Sequence, residues 1–288
     1  MTYETPLALR AALEQRLLNH SLETGVALDR LRRRVVFERI VARLDAAEPG
    51  RWVLKGGMAL EVRLQDDARV TKDIDLGLRD EIDNERDLHD RVSESLGSDL
   101  DGDYFVLSTG RPAPLSSDGV GRFTWRIKVA ASLASRPFGG VQLDVSPRAH
   151  ELDRTDRVPL PNLLDFAGVP TPTIEIVDVQ RHAAEKFHAM LRDYGDRENS
   201  RVRDLLDLVL LIAHDQLEPR LVAGEAVRVW TERDNDRPPR ALPPLPASWP
   251  ARYERLAADH DLPAAAGFAG AVALVQALWD QMFPDEEP

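Results

Sequence analysis

The sequence predicts an α/β protein with an N-terminal domain built on a mixed β-sheet, followed by a mainly helical C-terminal domain. Short apolar strands alternate with amphipathic helices through the first half of the chain. A proline-rich segment without sustained periodicity occupies residues 159–172, and from Val179 onward the apolar spacing is helical. We therefore expect a first domain over residues 1–165 and a helical domain over residues 166–288.

The composition limits the classes of function that the chain can have. Of its 288 residues, 43% are hydrophobic and 30% charged, which favours a packed core over global disorder. The absence of cysteine excludes disulfides and thiolate metal sites and favours a reducing compartment, so we expect a cytoplasmic protein. No segment approaches the roughly 18 apolar residues of a membrane span. The net charge of -12 argues against a protein that coats nucleic acid by charge alone.

The elements of the first domain follow from the spacing of apolar residues and from turn signals. We expect helices over residues 7–19, 21–46, 58–64 and 84–96, and strands over residues 52–54, 72–78, 104–109, 123–129 and 141–145. Residues 110–120 are expected to form a long loop or hairpin tip, and residues 136–140 (RPFGG) are expected to turn the chain between two strands.

A short basic run lies in the second helix, and its interpretation stays open at this point. The four arginines are Arg30, Arg32, Arg33 and Arg34. They are typical of a solvated helix face, but they could also contact the phosphate backbone of a nucleic acid.

The second domain is predicted from amphipathic spacing alone. An extended piece at residues 174–177 precedes its helices, which we expect over residues 179–194, 201–214, 219–230, 251–258 and 264–282.

The segment from Leu54 to Leu76 (LKGGMALEVRLQDDARVTKDIDL) carries the clearest chemical signal. Gly56 and Gly57 turn a strand into a helix, where backbone N–H groups are exposed to an anion. Asp73 and Asp75 are two apart on a strand, so both carboxylates lie on the same face. Paired carboxylates repel each other unless a cation lies between them, and hard cations such as magnesium also bind substrate phosphates. The pattern therefore predicts metal-dependent phosphoryl or nucleotidyl transfer.

Further charged residues lie on the strands and helices that follow. Asp144 lies on the strand after the hairpin, with Arg126 and Lys128 on a strand nearby. On the later helices, Asp204 and Asp207 are three apart on one helix face with apolar neighbours, so these carboxylates need partners, and Lys186 could be one of them. Either a structural network of ion pairs or a nucleotide site explains them.

Two blocks of the sequence resemble the AbiEii/AbiGii-type nucleotidyltransferase toxins, a group that includes the related MenT toxins. One block contains Gly56-Gly57 and then Arg69, Thr71, Asp73 and Asp75; the other contains Glu185, Lys186, Arg192, Arg203, Asp204 and Asp207. These toxins belong to the polymerase-beta-like nucleotidyltransferase superfamily, and the resemblance spans about residues 50 to 212.

The resemblance implies a role for each matching residue. Gly56 and Gly57 would hold the triphosphate of an NTP through backbone amides. Asp73, Asp75 and Asp144 would bind Mg²⁺ or Mn²⁺, with Asp144 alternatively acting as a base toward the acceptor hydroxyl. Lys186 would pair with nucleotide phosphates, and Asp204 resembles an acidic residue that family members need.

The resemblance also implies a reaction and its partners. An NMP would pass from an NTP to a hydroxyl, with the 3′ end of tRNA as the implied acceptor and a cognate antitoxin as the implied restraint. Two other functions stay open: nucleotide transfer to a protein or small molecule, and an inactive nucleotide-binding module. We expect no membrane partner.

Overall fold

The computed structural model of the chain describes residues 2–71, 73–82, 84–100, 102–117, 123–147, 152–196 and 198–284. The chain divides into two compact units. We call the first the sheet unit (Met1–Val62 and Val70–Val177) and the second the helical unit (Arg63–Arg69 and Asp178–Pro288). Among the described residues, no helix combines the length and the apolar character that a membrane span requires.

Among the described residues, four α-helices begin in the sheet unit: α1 (Pro6–Thr24), α2 (Leu28–Ala47), α3 (Gly56–Leu64) and α4 (Glu85–Leu96). The hydroxyl of Thr5 caps α1 by accepting a hydrogen bond from the N–H of Ala8. Gly25 ends α1 in the left-handed conformation, with φ +76° and its N–H bonded to the carbonyl of Ser21. The break between α1 and α2 therefore lies at Gly25, and the prediction that the second helix begins at residue 21 was wrong.

In the described part of the chain, eight strands form one mixed sheet with the order β3-β5-β6-β2-β1-β8-β7, and β4 pairs with β5. The strands are β1 (Trp52–Lys55), β2 (Asp73–Leu78), β3 (Phe105–Thr109), β4 (Ala113–Ser117), β5 (Phe123–Leu133), β6 (Arg136–Pro147), β7 (Thr155–Pro159) and β8 (Thr173–Val177). The central strand β2 is antiparallel to β1 and parallel to β6. The predicted mixed sheet is confirmed. Lys72, the predicted first residue of β2, lies outside the described residues.

One face of the central strands forms the core of the sheet unit, and the other face is polar. Ile74 and Leu76 on β2 and Leu143 on β6 are almost fully buried, in one apolar cluster with α1, α2 and α4. Asp73 and Asp75 alternate with these apolar residues and therefore lie on the opposite face. The alternation along β2 thus places the core residues on one face of the sheet and the carboxylates on the other.

Three local predictions for the sheet unit were wrong. Residues 113–117, expected in a long loop or hairpin tip, form β4 against β5, while residues 118–120 of that segment lie outside the described part. The turn between β5 and β6 lies at Ala134 and Ser135, both with positive φ, so it precedes the expected RPFGG segment. Positive φ at both central residues is typical of a two-residue hairpin, but neither residue is glycine. Residues 155–159, for which no strand was predicted, pair with β8 as β7.

The helical unit contains α5 (Val179–Leu191), α6 (Val202–Ala213), α7 (Pro219–Asp234), α8 (Trp249–Ala257) and α9 (Phe268–Met282). Asp178 caps α5 by accepting hydrogen bonds from the N–H groups of Gln180 and Arg181. The ring of Trp279 packs against Phe187 at 5.0 Å and Trp230 at 6.2 Å between centroids. The prediction of a helical C-terminal part is confirmed.

Candidate active site

A row of four charged residues crosses the polar face of the sheet on adjacent strands. Asp75 on β2 is in register with Lys55 on β1 and with Asp144 on β6. Asp144 is in register with Arg126 on β5. Residues in register lie close together on one face, so two carboxylates stand side by side between a lysine and an arginine.

Asp73 lies on the same face, one strand period before Asp75, and is in register with Gln142 on β6. Its side chain is 44% exposed, whereas that of Asp144 is 10% exposed. The hydroxyl of Thr71 donates a hydrogen bond to the backbone carbonyl of Asp73, with an oxygen–oxygen distance of 3.3 Å. The structure therefore gathers all three strand aspartates predicted from the sequence on one face of one sheet.

The guanidinium of Arg126 holds Asp144 with two hydrogen bonds. Its Nε and Nη2 atoms lie 2.7 Å and 2.6 Å from the two carboxylate oxygens, and Nη2 also lies 3.5 Å from Oδ2 of Asp73. The hydrogen bonds to Asp144 raise the pKa of Arg126, and the charges of Asp73 and Asp75 act in the same direction. Arg126 is therefore the counter-ion of this acidic face.

Gly56 lets the carboxylate of Asp75 approach the start of α3. A Cβ built at residue 56 would lie 1.8 Å from Oδ2 of Asp75. Gly56 also has φ +60°, a left-handed conformation that favours glycine. Gly57 follows in the first turn of α3 and is buried. The Gly-Gly pair thus places a helix N-terminus, where backbone N–H groups favour anions, beside Asp75.

The carboxylates fit a divalent cation in chemistry, but not as a finished set of three ligands. Asp73 and Asp75 offer the hard oxygen donors that Mg²⁺ prefers. Among the described residues, no group of three His, Asp or Glu side chains is arranged to hold a metal ion. Both oxygens of Asp144 accept hydrogen bonds from Arg126.

In the helical unit, Lys186 and two aspartates form a buried ion-pair network with Arg69. The Nζ atom of Lys186 lies 2.9 Å from Asp204 and 2.5 Å from Asp207. Arg69 binds both oxygens of Asp207, at 2.6 Å and 2.9 Å. Lys186 is 7% exposed and Asp207 is fully buried.

The network keeps its charges because each buried group has a partner. Burial alone would lower the pKa of Lys186, but Asp204 and Asp207 outweigh burial and raise it. Burial alone would raise the pKa of Asp207, but Lys186 and Arg69 lower it to about 2. His182, one turn before Lys186 on α5, is buried and finds no hydrogen-bond partner within the described part of the chain. Burial and the charge of Lys186 lower the pKa of His182 to about 3, so it is neutral at pH 7.

The basic run of α2 is used in ion pairs. Arg30 and Arg34 contact Glu61 at 3.1 Å and 2.8 Å. Arg32 contacts Glu14 at 2.6 Å, and Arg33 contacts Asp29. These pairs favour the structural interpretation of the run over a nucleic-acid contact.

Lys55 is the residue of this face that the sequence analysis missed. It is 8% exposed and stands in register with Asp75. A compositional signal points to it, because the chain has only four lysines among 37 basic residues, at positions 55, 72, 128 and 186. Lysine and arginine are not interchangeable as ligands for carboxylate and phosphate, so a rare lysine next to an acidic strand is a candidate site residue.

Comparisons with known proteins identify a family and a shared fold. The family model described as "Nucleotidyl transferase AbiEii toxin, Type IV TA system" matches residues 39–281. Among solved structures, MenT4, a nucleotidyltransferase toxin from Mycobacterium tuberculosis H37Rv, is 18% identical with a TM-score of 0.59, covering 95% of this chain and 90% of MenT4. JHP933 from Helicobacter pylori is 17% identical with a TM-score of 0.50, covering 89% of this chain and 94% of JHP933. These two likenesses show a shared fold. No match was found among curated protein sequences.

Proposed function

The chain belongs to the AbiEii family of nucleotidyltransferase toxins, and we propose that it uses a divalent cation to move an NMP from an NTP to an acceptor hydroxyl. The observation that carries this proposal is the pair Asp73 and Asp75 on one face of β2, beside the glycine turn that opens α3. As a toxin of a type IV toxin–antitoxin system, the enzyme has a cognate antitoxin and takes a nucleoside triphosphate as substrate.

In the sheet unit, Asp73 and Asp75 hold the cation, and Gly56 and Gly57 present backbone N–H groups to the triphosphate. A bound Mg²⁺ or Mn²⁺ supplies positive charge that stabilises the transferring phosphoryl group and aligns it with the acceptor. Asp144 serves as a further cation ligand or as the base that accepts the hydroxyl proton. Both oxygens of Asp144 accept hydrogen bonds from Arg126, so in either role the guanidinium would have to share or release this carboxylate.

In the helical unit, Lys186 binds a phosphate of the nucleotide. An ammonium group has three N–H donors. Among the described residues the side-chain partners of Lys186 are Asp204 and Asp207, so one donor is left for a phosphate oxygen. Asp204 fixes the direction of the ammonium group and is a positioning residue in this proposal.

The acceptor that we propose is the 3′ end of tRNA, as the resemblance to this family implies. The local charges, rather than the net charge of -12, must then attract the RNA. Modification of that end would block aminoacylation and so explain a toxic activity.

The test is a competition experiment with labelled triphosphates. Purified enzyme is incubated with each labelled NTP in turn, in a lysate that contains RNA, protein and metabolites. We expect the label in the tRNA fraction with wild-type enzyme and in no fraction with Asp75→Asn.

The two other functions give different results in the same experiment. Label in protein or in small molecules would replace tRNA as the proposed acceptor while keeping nucleotidyl transfer. Binding of NTP without release of pyrophosphate in any fraction would identify an inactive binding module.

A further inference from the structure

Arg126 contacts both Asp73 and Asp144, two of the carboxylates that would hold the proposed cation. Its guanidinium binds both oxygens of Asp144, at 2.6 Å and 2.7 Å, and lies 3.5 Å from Asp73 on the neighbouring strand. The two aspartates come from adjacent parallel strands. The arginine therefore already bridges the two segments that the proposed metal site has to join.

The charges on this face explain why a counter-ion is needed. Three carboxylates lie together on β2 and β6, and Lys55 and Arg126 stand in register with two of them. Carboxylates in register on adjacent strands repel each other, and an opposite charge within about 4–6 Å removes this repulsion. An arginine with two hydrogen bonds to one carboxylate is a strong and directional partner. It uses two of the roughly four lone-pair sites of the carboxylate, and its charge repels a second cation.

We propose that Arg126 and a divalent cation are alternative partners of Asp144, so that Arg126 sets the cation concentration at which the third carboxylate joins the site. This inference rests on the proposed function, because it assumes that Asp73 and Asp75 bind the cation. Arg126 acts here through Asp144 and is a positioning residue. The alternative is that the ion pair between Arg126 and Asp144 only stabilises the packing of β5 against β6.

The test measures binding of Mn²⁺ alone, without nucleotide, by the paramagnetic resonance signal of free Mn²⁺. Wild type, Arg126→Gln, Asp144→Asn and the double variant form a double-mutant cycle. Arg157→Gln is the matched control, because Arg157 lies in the same unit and loses the same charge but pairs with Asp45 instead. Urea unfolding of each variant shows whether it is folded.

We expect Arg126→Gln to tighten Mn²⁺ binding by on the order of tenfold, which corresponds to about 1.4 kcal/mol. In the Asp144→Asn background the same change should tighten binding less than about twofold, because the carboxylate at this position is no longer available to be released. Arg126→Lys keeps the charge but loses the bidentate hydrogen bonding to Asp144, so its affinity for Mn²⁺ should lie between those of wild type and Arg126→Gln. Arg157→Gln should bind Mn²⁺ as wild type does.

Three results would overturn the inference, each for a different reason. Unchanged or weaker Mn²⁺ binding in folded Arg126→Gln, with clear binding by wild type, would refute the competition and leave the proposed function intact. Equal tightening in the wild-type and Asp144→Asn backgrounds would show that Arg126 acts only by its charge through space. No measurable binding of Mn²⁺ alone by any variant would overturn the competition but not the metal role in the proposed function, because substrate phosphates can complete such a site.

Discussion

Replacing Gly56 with alanine would show whether the close approach of Asp75 to the start of α3 sets the geometry of the site. The new Cβ would lie 1.8 Å from Oδ2 of Asp75, whereas ordinary contacts begin near 3.4 Å. The carboxylate must therefore move by roughly 1.6 Å. A displacement of about 1 Å at a reacting group lowers rates by on the order of 100-fold, so we expect at least that loss of nucleotide transfer.

The effect on stability should be much smaller than the effect on activity. An L-residue in the left-handed conformation is less stable by about 1–2 kcal/mol, and alanine recovers about 0.4–1 kcal/mol by restricting the unfolded chain. Gly102 is the matched control, because it has φ +63° and a Cβ there would meet nothing within 4 Å. Gly102→Ala should lose about the same backbone stability and keep wild-type transfer.

Two assays decide the comparison between the glycine variants. Urea unfolding gives the free energy of unfolding, and labelled NTP gives the rate of transfer. Equal loss of activity in both variants would refute the reasoning, because the contact with Asp75 would then not matter. A rate for Gly56→Ala within about threefold of wild type would refute it as well.

Two further predictions concern buried charges. Asp207→Asn should destabilise the protein by about 3–5 kcal/mol in urea unfolding, because Lys186 and Arg69 lose a buried partner. Asp204 is more exposed, so Asp204→Asn should destabilise the protein less. A loss below about 1 kcal/mol for Asp207→Asn would contradict the ion-pair network. Burial raises the pKa of Glu38 to about 8 from its ordinary 4.5, so its contribution to stability is full below pH 4.5 and is lost as the pH rises toward 8. Unfolding free energies measured from pH 5 to 8 should therefore fall more steeply for wild type than for Glu38→Gln, and parallel pH profiles would refute this.

The sequence was sufficient to predict which face of β2 carries the carboxylates, because apolar and acidic residues alternate along this strand. Ile74 and Leu76 need a core, so Asp73 and Asp75 must face the other way. The mixed sheet and the helical C-terminal part followed from apolar spacing and are confirmed by the structure. The roles of the individual site residues stay predictions.

The pairing of Arg126 with Asp144 could not be predicted from the sequence, because it depends on strand register. Residues 126 and 144 meet only after β5 and β6 are aligned across a turn at Ala134 and Ser135. That turn lacks glycine, while the neighbouring RPFGG segment carries the stronger turn signal, so sequence reasoning placed the turn too late. Lys55 was missed for a related reason, since only the pairing of β1 with β2 brings it beside Asp75.

The short strands β4 and β7 escaped prediction because tertiary pairing, and not local preference, forms them. β4 contains Pro114 and β7 ends at Pro159, and proline weakens any strand signal. Both strands pair with one neighbour in the described sheet, where proline is tolerated. Local sequence alone carries little information about such strands.

Release of pyrophosphate from NTP, measured with wild type and Asp75→Asn, tests the central claim that the β2 carboxylates drive nucleotidyl transfer. The matched control is Asp45→Asn, which removes a carboxylate that pairs with Arg157 in the same unit. We predict that release by wild type stops in excess chelator, that Asp75→Asn is slower by more than about 100-fold, and that Asp45→Asn keeps the wild-type rate. Full-rate release by folded Asp75→Asn, or by wild type in chelator, would contradict the account.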